Sequence, residues 1–209
     1  MHYKKLIPLA FALSSCTPLP AQVNENFSDG DFILSPTWNG SNAEFIINAT
    51  KELQLNNVVG GQSQLSTSSV NTSIDNKEWR ISVKQTFAGS DNNHARIYLV
   101  SSGSDLSFAN ATTGSSNTGY FLKLGESGSA DAIKFFRDDG PLGIVELAAG
   151  TAGLIASSFN INIQVLRDNL GNWSINVDPT DGTNYSNEIS IFDNTYTQTA
   201  FLGVSCMYT

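Results

Sequence analysis

The clearest pattern in the chain lies between Asn160 and Asp178. Ile161, Ile163 and Val165 alternate with Asn162, Gln164 and Leu166, and the alternation resumes beyond Arg167-Asp168-Asn169-Leu170-Gly171 as Trp173, Ile175 and Val177. Period two on both sides of a Gly-bearing turn predicts a β-hairpin. Gly171 supplies the positive φ such a turn needs, and Asp168 and Asn169 can bond their own backbone around it.

The same pattern recurs along the chain. Glu78 to Phe87 places Trp79, Ile81, Val83 and Phe87 on one face and Arg80, Ser82, Lys84 and Thr86 on the other, which is a strand with one wet side. Short strands are expected at Ala43 to Ile47 and Lys51 to Leu55 around a turn at Asn48, then at Ala95 to Val100, Tyr120 to Leu124 and Ala132 to Arg137. Gly143 to Leu147, Asn187 to Phe192 and Thr199 to Tyr208 complete the set. Asn56 to Ser73 reads as a loop leading into a weak strand, Ala148 to Ser158 as a loop, and Ser101 to Thr118 as a polar loop long enough to suggest a functional or mobile segment. Asp138-Asp139-Gly140-Pro141 is a turn. Many short strands with regular turn signals and no amphipathic helix predict an all-β protein, an antiparallel two-sheet β-sandwich of the jelly-roll kind.

Composition narrows the setting. Charged residues are 14% of the 209, and the formal net charge is −8. The longest basic run is Lys4-Lys5, so nucleic acid is not an expected partner. Met1 to Lys5 is short and basic, and Leu6 to Leu13 is apolar but too short to span a bilayer, which together predict an export signal. Two processing sites compete. Leu19-Pro20-Ala21 before Gln22 suits an ordinary signal peptidase and leaves a domain over residues 22–209, whereas Leu13-Ser14-Ser15-Cys16 suits lipidation at Cys16, the one expected route to a membrane. Removing residues 1–21 leaves Cys206 as the single thiol, expected to be a small core residue.

Three stretches taken together carry a resemblance: Asn26-Phe27-Ser28-Asp29-Gly30-Asp31-Phe32 with Pro36-Thr37-Trp38, the Arg167-Asp168 to Gly171-x-Trp173 hairpin, and the ending Phe201-Leu202-Gly203-Val204-x-Cys206-x-Tyr208-Thr209. The set resembles the N-terminal module of large exported surface proteins of Gram-negative bacteria, proteins that often carry lamin-tail domains and a C-terminal sorting domain. The resemblance implies a concanavalin A-like, laminin-G-type jelly roll at the cell surface or secreted. Such modules continue past the last Tyr-Thr into a further strand beside the N-terminal one; this sequence ends at Thr209, so either a truncated relative or an open sheet edge is expected.

The residues offer little catalytic chemistry. His94 is the single histidine after the signal, set in a turn and expected to be solvated. No G-x-S-x-G elbow accompanies it, and one His with one distant Cys cannot form a zinc set. Glycoside hydrolysis needs two carboxylates, but the Glu-x-Asp-x-x-Glu strand signature is absent, and Asp131, Asp138, Asp139, Asp178 and Asp181 sit in turn-like contexts. Structural calcium has a physical case at Asp29 and Asp31, two carboxylates around a flexible Gly. Sugar stacking calls for exposed aromatics with polar neighbours, and Trp38, Tyr98, Tyr120 and Tyr185 are the candidates, with Trp79 and Trp173 assigned to the core. The expected function is a non-catalytic extracellular binding module for a glycan or a surface protein. The alternatives are a glycan hydrolase using turn carboxylates, or a purely structural adhesion module.

Overall fold

The computed structural model describes residues 23–209. The expected hairpin forms as β10 (Phe159–Arg167) and β11 (Asn172–Asp178), paired from Asn162↔Asp178 to Arg167↔Trp173. Gly171 takes φ +97°, and the Asp168 carboxylate accepts the amides of Leu170 and Asn172, each at 2.9 Å. β5 (Lys77–Gln85) and β12 (Ser186–Phe192) flank the hairpin in a four-stranded antiparallel sheet of order β12-β11-β10-β5.

The second layer is a seven-stranded sheet of order β1-β4-β13-β6-β7-β8-β9. Its members are β1 (Asn39–Gly40), β4 (Gly61–Ser68), β6 (His94–Ser101), β7 (Thr118–Leu124), β8 (Lys134–Asp139), β9 (Ile144–Ala149) and β13 (Phe201–Tyr208). A small hairpin, β2 (Phe45–Ile47) with β3 (Leu53–Leu55), turns at Asn48, whose side-chain oxygen accepts the amides of Thr50 and Glu52. All pairings are antiparallel, and the described helical segments are two 3₁₀ turns. The fold is the expected β-sandwich.

The main core lies between the sheets, where Ile161, Ile163, Val165, Trp173, Ile175 and Val177 meet Val100, Tyr120, Leu122, Leu124 and Phe135. These side chains are essentially inaccessible, so at about 1.5–3 kcal/mol for each large apolar group they supply most of the driving force. A second cluster of Phe32, Trp38, Phe45 and Leu65 extends the inner layer under the β2–β3 hairpin. Trp79 stacks on Trp173 at 5.6 Å, so both fall in the core as expected.

Several local expectations are corrected. β4 is a full strand, not a loop, paired along all eight residues with β13. Its Ser63, Ser66 and Thr67 are buried hydroxyls, so tertiary pairing overrides a composition that carries only Leu65 as a hydrophobic signal. Phe87 lies beyond the end of β5 and is 53% exposed. His94 is buried at the start of β6, stacked on Phe108 at 5.5 Å, with Nδ1 2.9 Å from the Asp91 carbonyl. Burial, then the charges of Lys123 and Arg96, lower it to about 4. Cys206 lies on the inward-pointing side of β13, and burial pushes its thiol up to about 12. β13 is internal to its sheet, between β4 and β6, and the sheet's two edges are the two-residue β1, which pairs only Leu65 and Ser66 of β4, and β9.

Asp131 is fully buried, with no hydrogen bond of ordinary geometry to either carboxylate oxygen. Burial first, and the Glu126 charge second, raise its titration above the normal 3.8. A raised folded value means that the ionised carboxyl opposes folding, a cost absent below the unfolded value and present once the pH exceeds the folded one. Asp131→Asn is therefore expected to raise the melting temperature at neutral pH. Thermal melts taken between pH 3 and 8 should show the gain shrinking to nothing on acidification below the normal aspartate range; a loss of stability at pH 7 would contradict the assignment.

Candidate functional site

Most of the aromatics expected to stack on sugars have no open ring face. Trp38 is buried against Phe32, Phe45 and Leu65, with Phe27 at 6.3 Å. Tyr120 lies in the main core, 4.8 Å from Trp173 and 5.7 Å from Phe135, and its hydroxyl donates to Asp193 at 2.5 Å. Tyr98 is buried on the opposite face of the seven-stranded sheet, 5.0 Å from Phe121, and donates to Asp138 at 3.0 Å. Strand alternation puts these rings on sheet faces that are both covered. Tyr185 is half-buried in the connection before β12. Cys16 lies outside the described residues.

The cover over Tyr98 is the long polar loop, residues 102–117. The buried Arg96 guanidinium donates to the carbonyls of Thr113 at 2.8 Å and of Asn110 and Ala111 at 3.1 Å, and stacks 3.5 Å from the Phe108 ring centroid. Gln64 accepts the Leu106 amide at 2.6 Å, and Asp138 accepts the Ser115 amide at 3.0 Å. A segment expected to be functional or mobile is thus a layer packed over that sheet face.

Of the carboxylates considered for hydrolysis, Asp131 is sealed in the interior and the other four are engaged elsewhere. Asp138 accepts from Tyr98, Ser115 and Gly140; Asp139 is gripped by Arg137 at 2.8 and 3.0 Å; Asp178 caps Thr180 and Asn184; Asp181 accepts from Asn160. Asp29 and Asp31 are turn caps, with Asp29 accepting the Asp31 amide at 3.3 Å and one oxygen of Asp31 accepting those of Ile33 and Leu34 at 2.9 Å. Among the described residues no three Asp, Glu, His or Cys side chains converge to hold a metal. Calcium takes six to eight oxygens. Two carboxylates already bonded to amides, near the Lys51 ammonium that approaches Gly30, do not fit that need.

The open surface is the outward face of the four-stranded sheet. Inward Ile161, Ile163 and Val165 force Asn160, Asn162, Gln164 and Leu166 outward, and the same alternation exposes Ser174 and Asn176 on β11 and Arg80 and Ser82 on β5. On β12 a bulge at the Ile175/Asn176 step changes the parity, so that Ile189 points inward yet Asn187 lies opposite Asn176. Arg80, Gln164, Asn176 and Asn187 consequently form one register row crossing all four strands.

The row is bonded in one direction. Asn187 donates to Asn176 at 3.0 Å, Asn176 to Gln164 at 3.3 Å, and Gln164 to Glu78 at 2.8 Å, where Arg80 also donates at 2.6 Å. Those two donors, Gln164 first, hold the Glu78 carboxyl below its usual range. Ser190 and Ser174 feed hydroxyls into Asn187 and Asn176, and Ser82 donates to Asn162. Each primary amide has two N–H groups and two lone pairs, so Gln164, which spends one of each here, keeps one of each for a ligand. Asn is depleted in strands because its amide competes for backbone bonds. Five Asn at strand positions of this sheet, 160, 162, 172, 176 and 187, therefore break a local rule, and such breaks concentrate at functional sites. That was the available signal: the polar phase of Asn160 to Asp178 is amide-rich where Thr, Lys or Glu would serve solubility better. A shallow hollow of about 510 Å³ beside Leu166, Trp173 and the exposed Phe192 opens at the far end of the sheet.

No family model matches the chain, and no curated protein is significantly similar to it in sequence. Solved structures are similar in fold. The Ca2+/Man-bound form of the VIP36 exoplasmic/lumenal domain aligns with a TM-score of 0.54 at 17% identity, covering 82% of this chain and 75% of that one. The legume lectin-like domain from Entamoeba histolytica gives 0.55 at 10% identity, covering 82% and 81%. The Emp46p carbohydrate recognition domain, in metal-free form, gives 0.57 at 12% identity, covering 89% and 88%. The chain is thus a concanavalin A-like jelly roll.

If the amides serve a ligand and not the fold, better strand formers should be tolerated in their place. Asn176→Thr is expected to leave stability unchanged or raise it by up to about 1 kcal/mol, the full span of the strand-propensity scale. Urea denaturation would check this, and a marked loss would make the amide a structural element instead.

Proposed function

We propose that the chain is a non-catalytic, extracellular glycan-binding module that takes its ligand on the amide face of the four-stranded sheet. The observation that carries this reading is the in-register row of half-buried Gln164 and Asn176 with exposed Asn187, uncharged and already oriented by its own hydrogen bonds. Gln164 keeps one donor and one acceptor, Asn176 one N–H and Asn187 one lone pair for a ligand's hydroxyls, without the reordering cost that loose side chains would add. Similar folds in VIP36 and Emp46p belong to a mannose-bound form and a carbohydrate recognition domain, which supports a glycan over a surface protein as the partner.

The basic and apolar start of the sequence supports export, to the surface of a Gram-negative bacterium or beyond it, with Cys16 as the position where a lipid anchor would attach if that processing site is used. The resemblance to modules of exported bacterial surface proteins supports the same setting. Calcium does not enter the reading, because the amide row needs no metal and the Asp29 and Asp31 pair is occupied by turn amides.

A glycan array probed with the protein and with the Gln164→Thr/Asn176→Thr double variant tests the proposal. Loss of two ligand hydrogen bonds, at about 1 kcal/mol each, predicts a drop of tenfold or more in affinity for the bound glycan with the fold intact. Binding that the double variant leaves unchanged would move the site elsewhere, and steady cleavage of the bound glycan would replace a binding module with a hydrolase. Treatment with EDTA is expected to leave binding as it was; its abolition would restore a metal to the site.

A further inference from the structure

Resting on the glycan reading of this face, we infer that the ligand is an unbranched, uncharged chain lying extended across the strands, and not a single terminal sugar. The row is linear because it follows the sheet register, running Arg80, Gln164, Asn176, Asn187 with one side chain per strand. Neighbouring strands lie about 4.8 Å apart, so the four positions span roughly 14 Å. A terminal sugar would meet one or two of them. A β-linked hexopyranose chain is an extended ribbon whose rings repeat at close to the inter-strand distance, so successive hydroxyls meet successive side chains.

Charge favours the same ligand. Gln164, Asn176 and Asn187 are neutral, and the one cation in the row, Arg80, is paired with Glu78 at the β5 end. A polyanionic chain would find no run of unpaired cations along the row, and a cationic one no run of carboxylates. The hydrogen-bond chain is also polar, each amide donating toward Glu78, so the two directions of a ligand chain are inequivalent on it. Phe192 stands apart: it is paired with Asn172, displaced along the strand direction from the row. A chain crossing the strands passes it by, whereas a chain running along them toward that end would lie over it.

Isothermal titration of the folded domain with linear β-1,4-glucan and β-1,4-mannan oligomers of one to six units separates these geometries. Affinity for at least one series is expected to climb with length up to three or four units and then level, since roughly 14 Å is then filled. Asn176→Ala should weaken the tetramer about fivefold, as the loss of the one ligand hydrogen bond open to its remaining N–H implies. Phe192→Ala should leave it within about twofold, less than a single hydrogen bond is worth. A monosaccharide that binds as tightly as the tetramer and depends on Asn176 would sink the chain inference while leaving the glycan site in place. A large loss on Phe192→Ala would turn the chain along the strands and overturn the inference equally. Failure of the folded protein to bind either series overturns the inference, and failure across the whole glycan array removes the reading beneath it.

Discussion

Asp193 ties the two sheets together. Its carboxylate accepts the Tyr120 hydroxyl from the seven-stranded sheet and the Arg137 guanidinium at 2.7 Å, while its backbone carbonyl accepts the indole N–H of Trp173 from the four-stranded sheet. The residue sits in the crossover between β12 and β13, where the chain leaves one layer to become the strand between β4 and β6 in the other. Arg167, also buried, grips the same connection from the other side through Asn194. Hydrogen bonds offset most of the cost of burying polar groups, and here a tyrosine, a tryptophan and two arginines bond to Asp193 and Asn194. The packing of Tyr120, Phe135 and Trp173 around the site, with ring centroids 4.8 to 5.7 Å apart, depends on that crossover being held.

With the layers fixed, the two outer faces have opposite fates. The seven-stranded sheet carries Arg96, Tyr98, Phe121, Lys123 and Phe136 on its outer side, too apolar and too costly in buried charge to leave bare. The long loop closes over them, and the Arg96 guanidinium satisfies three loop carbonyls that would otherwise lack donors. Among the described residues, the outer face of the four-stranded sheet is met only at the Asn160 and Asn162 end, where the connection between β11 and β12 accepts both amides. Its outward positions are amides and hydroxyls that bond to one another, which keeps the face ordered while leaving polar groups available. Asn160, Asn162 and Asn172 tie the sheet to neighbouring turns, whereas Asn176 and Asn187 bond within the row itself.

The hairpin from Asn160 to Asp178 was legible because it obeys two local rules at once: period-two burial and a turn with Gly171 at positive φ. The turn caps at Asn48, Asp168 and Asp178 were legible for the same reason, since side chain and bonded amide lie within a few residues. β4 was not, because its buried hydroxyls are recognisable only once β13 lies beside them. Nor was the fate of the aromatics. Tyr98 and Tyr120 sit in strands whose both faces are covered, and no local pattern says that a loop will fold back over one of them.

The alternation, the turns and the layered all-β class can therefore be read from the linear chain, since each rests on near neighbours. The sequence also carries the amide-rich phase of the β10–β11 hairpin, although only its hydrophobic phase declares itself in a linear reading. The tertiary structure alone decided that Asn187 stands level with Asn176, through a bulge on a strand that follows a further turn, and that Arg80, about eighty residues before Gln164, completes the row. A row across strands is a property of register, and register is fixed by which hydrophobic faces meet in the core, a relation between distant segments that no single segment contains.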